Sequence, residues 1–161
     1  FSTDGEVVTV HADIAIEVIE PDDVAAVATG AGMPVPIASV RLGLPKEYCI
    51  AEYETFDDVA ALTPDMDALF GRFGFMAFAR EGDMVKARFF APGTAVPEDP
   101  ATGSAAVALA RAFVLRGEPQ GSLVVHQGDE IGHPSTINLA WDAAGTTIGG
   151  TVRRDEVRLL D

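Results

Sequence analysis

Cysteine is nearly absent from this chain. Cys49 is the single thiol among 161 residues, which excludes an intramolecular disulfide framework and points to a reducing, cytoplasmic setting. Basic residues are scarce as well: 11 Lys and Arg stand against 25 Asp and Glu, a formal charge of −14. A surface of that sign repels phosphate backbones and anionic lipid, so neither nucleic acid nor membrane is an expected partner. A small anion stays admissible, because one local site can attract it against the global field. No apolar run approaches the ~20 residues of a membrane span, and no signal-peptide pattern precedes the first strand. The chain opens on Phe1 rather than methionine, as a fragment or processed product would. Repeats, low-complexity tracts and linkers are missing too. What is present is apolar residue, 48% of the chain, enough for a sizeable core in one domain or one and a partial second.

Period-two alternation predicts strands over Glu6–Val10 and Asp13–Ile19. Pro21 then starts a short helix with Val24, Val27 and Ala28 at helical spacing, ended by Gly30 and Gly32. Strands follow over Val35–Leu42 and Tyr48–Tyr53. Thr55 and Thr63-Pro64 mark two further helix starts, with Pro64 at the first helical position, where a missing N–H does no harm. Phe73–Ala79 and Met84–Phe90 are strands joined across the turn Glu81-Gly82-Asp83. A helix from Gly103 to Arg116 comes next. Strands over Leu123–His126, Thr136–Trp141 and Thr147–Leu160 finish the chain, the last broken at Gly149-Gly150. Many strands around few helices indicate an α+β domain rather than alternating βαβ units.

The segment that carries chemistry is Asp99-Pro100-Ala101-Thr102-Gly103-Ser104 and the helix it opens. From Ala105 to Ala110 every residue is apolar, and only Arg111 interrupts before Leu115. A helix apolar around its whole circumference belongs inside the core. Its many alanines let strands approach closely, which fits a central helix wrapped by sheet. The first amides of a helix have no intrahelical acceptors and carry the positive end of its dipole. No Asp or Glu stands in the first turn to meet them. Gly103 admits a ligand to the backbone without a Cβ in the way, and Thr102 or Ser104 can add a hydroxyl. Such a start suits an anionic group, most simply a substrate carboxylate. The same residues also fit ordinary capping, with Thr102 as N-cap and Asp99-Pro100 a turn before it.

Phe90–Ala106 closely resembles the signature of the PhzF-like phenazine-biosynthesis family, which is related in fold to diaminopimelate epimerase. Gln127-Gly128-Asp129-Glu130-Ile131-Gly132-His133-Pro134-Ser135 resembles the same family's downstream glycine loop, departing from it by Ile131 for methionine and His133 for arginine. Ile148–Val152 resembles the strand that follows. The Glu-Asp-Pro-x-Thr-Gly-Ser-Ala string is specific, whereas the glycine loop alone would be weak. The resemblance implies a C-terminal half in which a curved mixed β-sheet or barrel wraps a central buried helix, with an active site shared between two pseudo-symmetric halves. It implies a cofactor-independent isomerase moving a proton on a small carboxylated substrate. The motif aspartate would contact that substrate and the Gly-Ser pair would supply amide and hydroxyl contacts. These roles fall on Asp99 as catalytic residue and on Thr102, Gly103 and Ser104 as substrate-binding residues.

The family's principal acid/base glutamate lies in an N-terminal half that these 161 residues do not contain. The chain is therefore expected to supply half a site, inactive alone and completed by that half or by another copy. Glu98 reads as a solvated turn residue, and Lys86 and Arg88 as solvated strand positions. Cys49, between Tyr48 and Ile50, reads as a small core residue. Asp99 and Pro100 occupy the neighbourhood where the related epimerases carry a thiol, so a two-thiol racemase is excluded. His126, Asp129, Glu130 and His133 match no zinc spacing, so no metal is expected. Trp141 reads as core. Two other readings stand beside the isomerase: a ligand-binding or scaffold module that kept the fold without the chemistry, and a structural dimerisation domain.

Overall fold

The structure is a computed structural model and describes residues 6–12, 17–18, 24–43, 47–69 and 74–152. Its strands are β1 (Glu6–Ala12), β2 (Glu17–Val18), β3 (Ala38–Gly43), β4 (Glu47–Glu52), β5 (Gly74–Glu81), β6 (Met84–Phe90), β7 (Glu98–Asp99), β8 (Gly121–Gln127), β9 (Ser135–Asp142) and β10 (Gly145–Val152). Its helices are α1 (Val24–Gly30), α2 (Phe56–Ala60), α3 (Met66–Leu69) and α4 (Gly103–Leu115). All the strands join one sheet in the order β1-β10-β9-β8-β6-β5-β4-β3-β2, with β7 on β6 off that path.

Two pairings in that ladder are parallel, β4 with β5 and β6 with β8. Each needs a crossover, and β5 and β6 are antiparallel. The two crossovers therefore step the same way across the sheet along strands of opposite direction. One common hand then sends their helices to opposite faces. This is what the packing displays. Tyr48, Ile50, Met76, Phe78, Val85, Ala87 and Phe89 meet α4 in one core. The alternate residues Cys49, Ala51, Phe75, Ala77, Ala79 and Phe90 pack with α1, α2 and α3 in a second. Central strands covered on both faces read as continuous apolar runs. On β9 only one face is covered, and Ile137, Leu139 and Trp141 alternate with exposed Thr136, Asn138 and Ala140.

α4 is buried as its composition demands, from Ala105 through Ala110 and again at Ala112 and Phe113. It packs on β4 on one side and on β9 and β10 on the other. Phe113 stacks on Trp141 with ring centroids 5.5 Å apart and meets Phe78 edge-on at 5.8 Å.

Several expectations need correction. The α+β class and the mixed sheet against a buried helix hold, but the ladder runs as an open path from β1 to β2, so no closed barrel forms among the described residues. Gly149-Gly150 does not break β10: Gly149 pairs with Thr9 and with Asn138, because ladders on both sides hold the strand extended. Pro64 is not the first residue of α3; Asp65 precedes that helix and its Oδ1 accepts from the amides of Asp67 and Ala68 at 3.0 and 3.3 Å. The strand expected from Val35 begins at Ala38. The strand expected over Asp13–Ile19 is described only at Glu17–Val18, and the continuation expected to Leu160 beyond Val152 lies outside the described residues. No described helix is long and apolar enough to cross a membrane.

Candidate functional site

β7 brings the motif into the sheet. Asp99 pairs with Phe89 and Glu98 with Phe90, and neighbouring strand residues point to opposite faces. Glu98 turns toward the α2 side, where its two carboxylate oxygens accept from Arg88 Nε at 2.8 Å and Nη2 at 2.9 Å. Arg88 is 8% exposed, and its Nη1 donates to the carbonyls of Leu62 at 2.6 Å and Ala60 at 3.2 Å beyond α2 and at its end. The expectation that Arg88 and Glu98 are solvated is thus overturned. A strand buried on both faces leaves no solvated side for Arg88, and a bidentate partner offsets its desolvation. Lys86 also departs from the expectation: its side chain is largely covered, and it pairs with Asp129 at 3.0 Å and Glu130 at 2.7 Å. Burial alone would lower the pKa of that ammonium, but the hydrogen bonds and charges of Glu130 and Asp129 outweigh it and raise it.

On the α4 side, Asp99 Oδ1 accepts from the Ala101 amide at 3.1 Å, closing a short turn before the helix. The glycine loop after β8 holds this turn from beneath. Gln127 Nε2 donates to the Asp99 carbonyl and, at 3.1 Å, to Thr102 Oγ1. Ser135 Oγ donates to the Pro100 carbonyl. Gly128, with φ +87°, lies so close that a Cβ there would stand 2.3 Å from the His133 carbonyl oxygen and 2.8 Å from Pro100 Cβ.

Thr102 occupies the N-cap position of α4 but makes no side-chain cap bond. Its backbone oxygen accepts from Ala106 at 3.1 Å, as in any first turn. Among the described residues no acceptor meets the amides of Gly103, Ser104 and Ala105. Gly103 and Ala101 line a cleft of about 540 Å³ whose other walls include Ser135, Thr136, Asn138, Ile148 and Gly150. Ser104 is exposed, and its Oγ accepts from Tyr48 Oη at 2.9 Å. Thr102 is buried beneath, with Gln127. The structure therefore places Gly103 on the cleft wall and Thr102 in the support beneath it, while Ser104 and Asp99 are not among the described residues that line the cleft.

The other sequence candidates separate from this site. Cys49 is buried in the core on the α1–α3 side, away from the α4 face. Trp141 is core, 4% exposed, with Nε1 donating to the Glu118 carbonyl at 2.9 Å. No three His, Cys, Asp or Glu among the described residues gather as a metal site would require. Asp129 and Glu130 instead serve Lys86. Sequence reasoning gave no role to Tyr48, nor to Gln127 and Ser135, which entered only as the two ends of the glycine loop. For Gln127 a signal existed: it continues the inward parity of Leu123 and Val125 on β8, a polar side chain at a core position.

The comparisons with known proteins agree with the motif. The model of the PhzC-PhzF family, phenazine biosynthesis-like proteins, matches residues 20–154, and the chain belongs to that family. It is 34% identical over 121 residues to the trans-2,3-dihydro-3-hydroxyanthranilate isomerase of Pseudomonas aeruginosa, covering 73% of this chain and 43% of the relative. A PhzF-family protein from Enterococcus faecalis matches in structure with a TM-score of 0.65 at 21% identity, over 90% of this chain and 53% of its own. A predicted epimerase from Pseudomonas aeruginosa matches with a TM-score of 0.66 at 19% identity, over 96% of this chain and 62% of its own. The chain thus spans about half the length of the relatives it matches.

Proposed function

We propose that this chain is an isomerase domain of PhzF type that supplies one half of an inter-domain active site. It binds a small substrate by its carboxylate and acts in cofactor-independent proton transfer at carbon. The observation that carries the reading is the uncapped start of α4 on an open cleft, with Gly103 at its wall. Gly103 stands on the cleft wall at the positive end of a 13-residue helix whose first amides have no acceptor among the described residues, a setting in which a carboxylate would form charge-assisted hydrogen bonds. Asp99, held by the Ala101 amide, orients the substrate or relays a proton beside it. Proton transfer at carbon needs a group to take the proton and one to return it. The complementary half supplies the second, and that half or a second copy is the partner.

The test has two arms. Titrating the chain with malonate is expected to shift the amide resonances of Gly103, Ser104 and Ala105, and no shift there overturns the carboxylate site. With the complementary half added, trans-2,3-dihydro-3-hydroxyanthranilate in D₂O is expected to take up deuterium at carbon. Asp99→Asn should then lower turnover by about a hundredfold or more with little change in melting temperature, and unchanged turnover sinks the role of Asp99.

A second reading, a carboxylate-binding module without chemistry, is favoured by one observation: none of the described residues lining the cleft is ionisable. Malonate shifts without deuterium uptake, complementary half present, would select it.

A further inference from the structure

Two threonines stand at helix starts in this molecule and do opposite things. Thr55 caps α2. Its backbone is extended, φ −132° and ψ 161°, its Oγ1 accepts from the Asp58 amide at 3.1 Å, and the Asp58 carboxylate returns a bond to the Thr55 amide at 3.0 Å. Thr102 has φ −98° and ψ 89°, and its hydroxyl makes no bond to its own helix. Threonine is a good N-cap residue, so an uncapped threonine at this position calls for a cause.

The structure supplies one in Gln127. Its side chain is 1% exposed at the end of β8. The Asp99 carbonyl can only accept, so the Gln127 nitrogen must face it, and the same nitrogen donates to Thr102 Oγ1 at 3.1 Å. A threonine oxygen engaged from below is turned away from the amides of Ser104 and Ala105 that it would otherwise cap. Gln127 Oε1 is buried with no partner among the described residues. Core packing alone would be served better by an apolar residue of the same length, which carries no such orphan oxygen. The amide is therefore matched to what its nitrogen holds.

We propose that Gln127 is a positioning residue that keeps the α4 start open by holding the Thr102 hydroxyl out of its capping position. The inference rests on the α4 start being the carboxylate site. Without Gln127, Thr102 rotates to cap Ser104 or Ala105, and the helix satisfies itself in place of a ligand. Helix stability and anion binding then move in opposite directions, which a merely structural glutamine would not produce.

The test is amide hydrogen exchange on the ¹⁵N-labelled chain, with malonate affinity measured beside it. Gln127→Met is expected to slow exchange at Ser104 and Ala105 by about fivefold or more, the worth of a cap bond, and to weaken malonate binding by a similar factor. Adding Thr102→Ala, which removes the N-cap hydroxyl, should restore both. Exchange unchanged in Gln127→Met, or a double variant no different from it, overturns the proposal. Thr102→Ala alone covers the case in which Gln127→Met does not fold. It should leave exchange at Ser104 and Ala105 unaltered, while Thr55→Ala speeds exchange at Asp58; acceleration at Ser104 would mean that Thr102 already caps, and the proposal fails. Malonate failing to shift Gly103 in the unsubstituted chain sinks the carboxylate site, and the exchange measurements still decide Gln127.

Discussion

Individual charged side chains carry much of the local order around Asp99. Arg88 ties Glu98 to the carbonyls that end α2, and because Glu98 and Asp99 are neighbours on β7 the pair fixes which face each takes. Removing Glu98 takes away the bidentate partner of a buried charge and leaves it the backbone carbonyls and Glu130, 4.0 Å away. Glu98→Ala is expected to cost up to about 3 kcal/mol in urea unfolding; a loss below about 1 kcal/mol would mean that the guanidinium moves to Glu130 or to solvent. Tyr53 makes a prediction of another kind. Burial pushes its phenol up to about 12. Below pH 10 both folded and unfolded chains hold that proton, and its stabilisation is whole. Between pH 10 and 12 the unfolded chain releases it first, so stability falls by up to about 3 kcal/mol across that window. Tyr53→Phe should remove this share of the alkaline loss. The share of Lys86, whose pKa is also raised, would remain in the same direction. Arg88 and Lys86 were misread as solvated because residue type and strand parity say nothing of how many faces a strand buries.

At the level of elements, the two helix starts are a natural pair for measurement. Thr55→Ala removes a complete capping box and is expected to cost about 1 kcal/mol, whereas the cost of Thr102→Ala comes from its buried bond with Gln127 and not from a cap, so only Thr55→Ala should speed amide exchange in the first turn of its helix. Faster exchange at Ser104 in Thr102→Ala would contradict the open start of α4. Gly103 tests the same helix from the cleft side. A Cβ there meets only Ile148 Cδ1, at 2.8 Å, the tip of a side chain that can turn aside. Gly103→Ala should therefore keep the melting temperature while weakening malonate binding. Gly128 differs, because a Cβ there meets backbone and its φ of +87° strains any other residue. The elements themselves were largely legible. α4 announced itself by an unbroken apolar run, and the capping of α2 by Thr55. β7 was not legible, since two residues pairing at the margin of a loop carry no periodicity. Nor was the continuity of β10 through Gly149-Gly150, which depends on ladders supplied by β1 and β9.

For the molecule as a whole, helices on opposite faces of one open sheet place α4 across β4, β9 and β10 and leave its first turn at a cleft. The surrounding charge is unfavourable to compactness, with 25 acidic residues against 11 basic ones. Screening that self-repulsion should raise the melting temperature as sodium chloride is increased from low to physiological strength. A fall would show that ion pairs such as Lys86 with Glu130 outweigh the excess of like charge. The proposed site would attract an anion by short-range amide contacts rather than by net charge, so the acidic surface and a carboxylate ligand are compatible.

The amino-acid sequence by itself determined that α4 is buried, that its first turn carries no acid, and that the Glu-Asp-Pro-x-Thr-Gly-Ser-Ala string places the chain in its family. These properties are local: helical periodicity, capping residues and a contiguous motif act within a few positions of one another. Only the tertiary structure decided whether that turn is capped. The answer depends on Gln127, 25 residues beyond Thr102, and on the register that sets its amide under the Asp99 carbonyl. Propensity does not reach across such a separation; strand pairing does, and it is the sheet that chooses which polar groups meet beneath the helix.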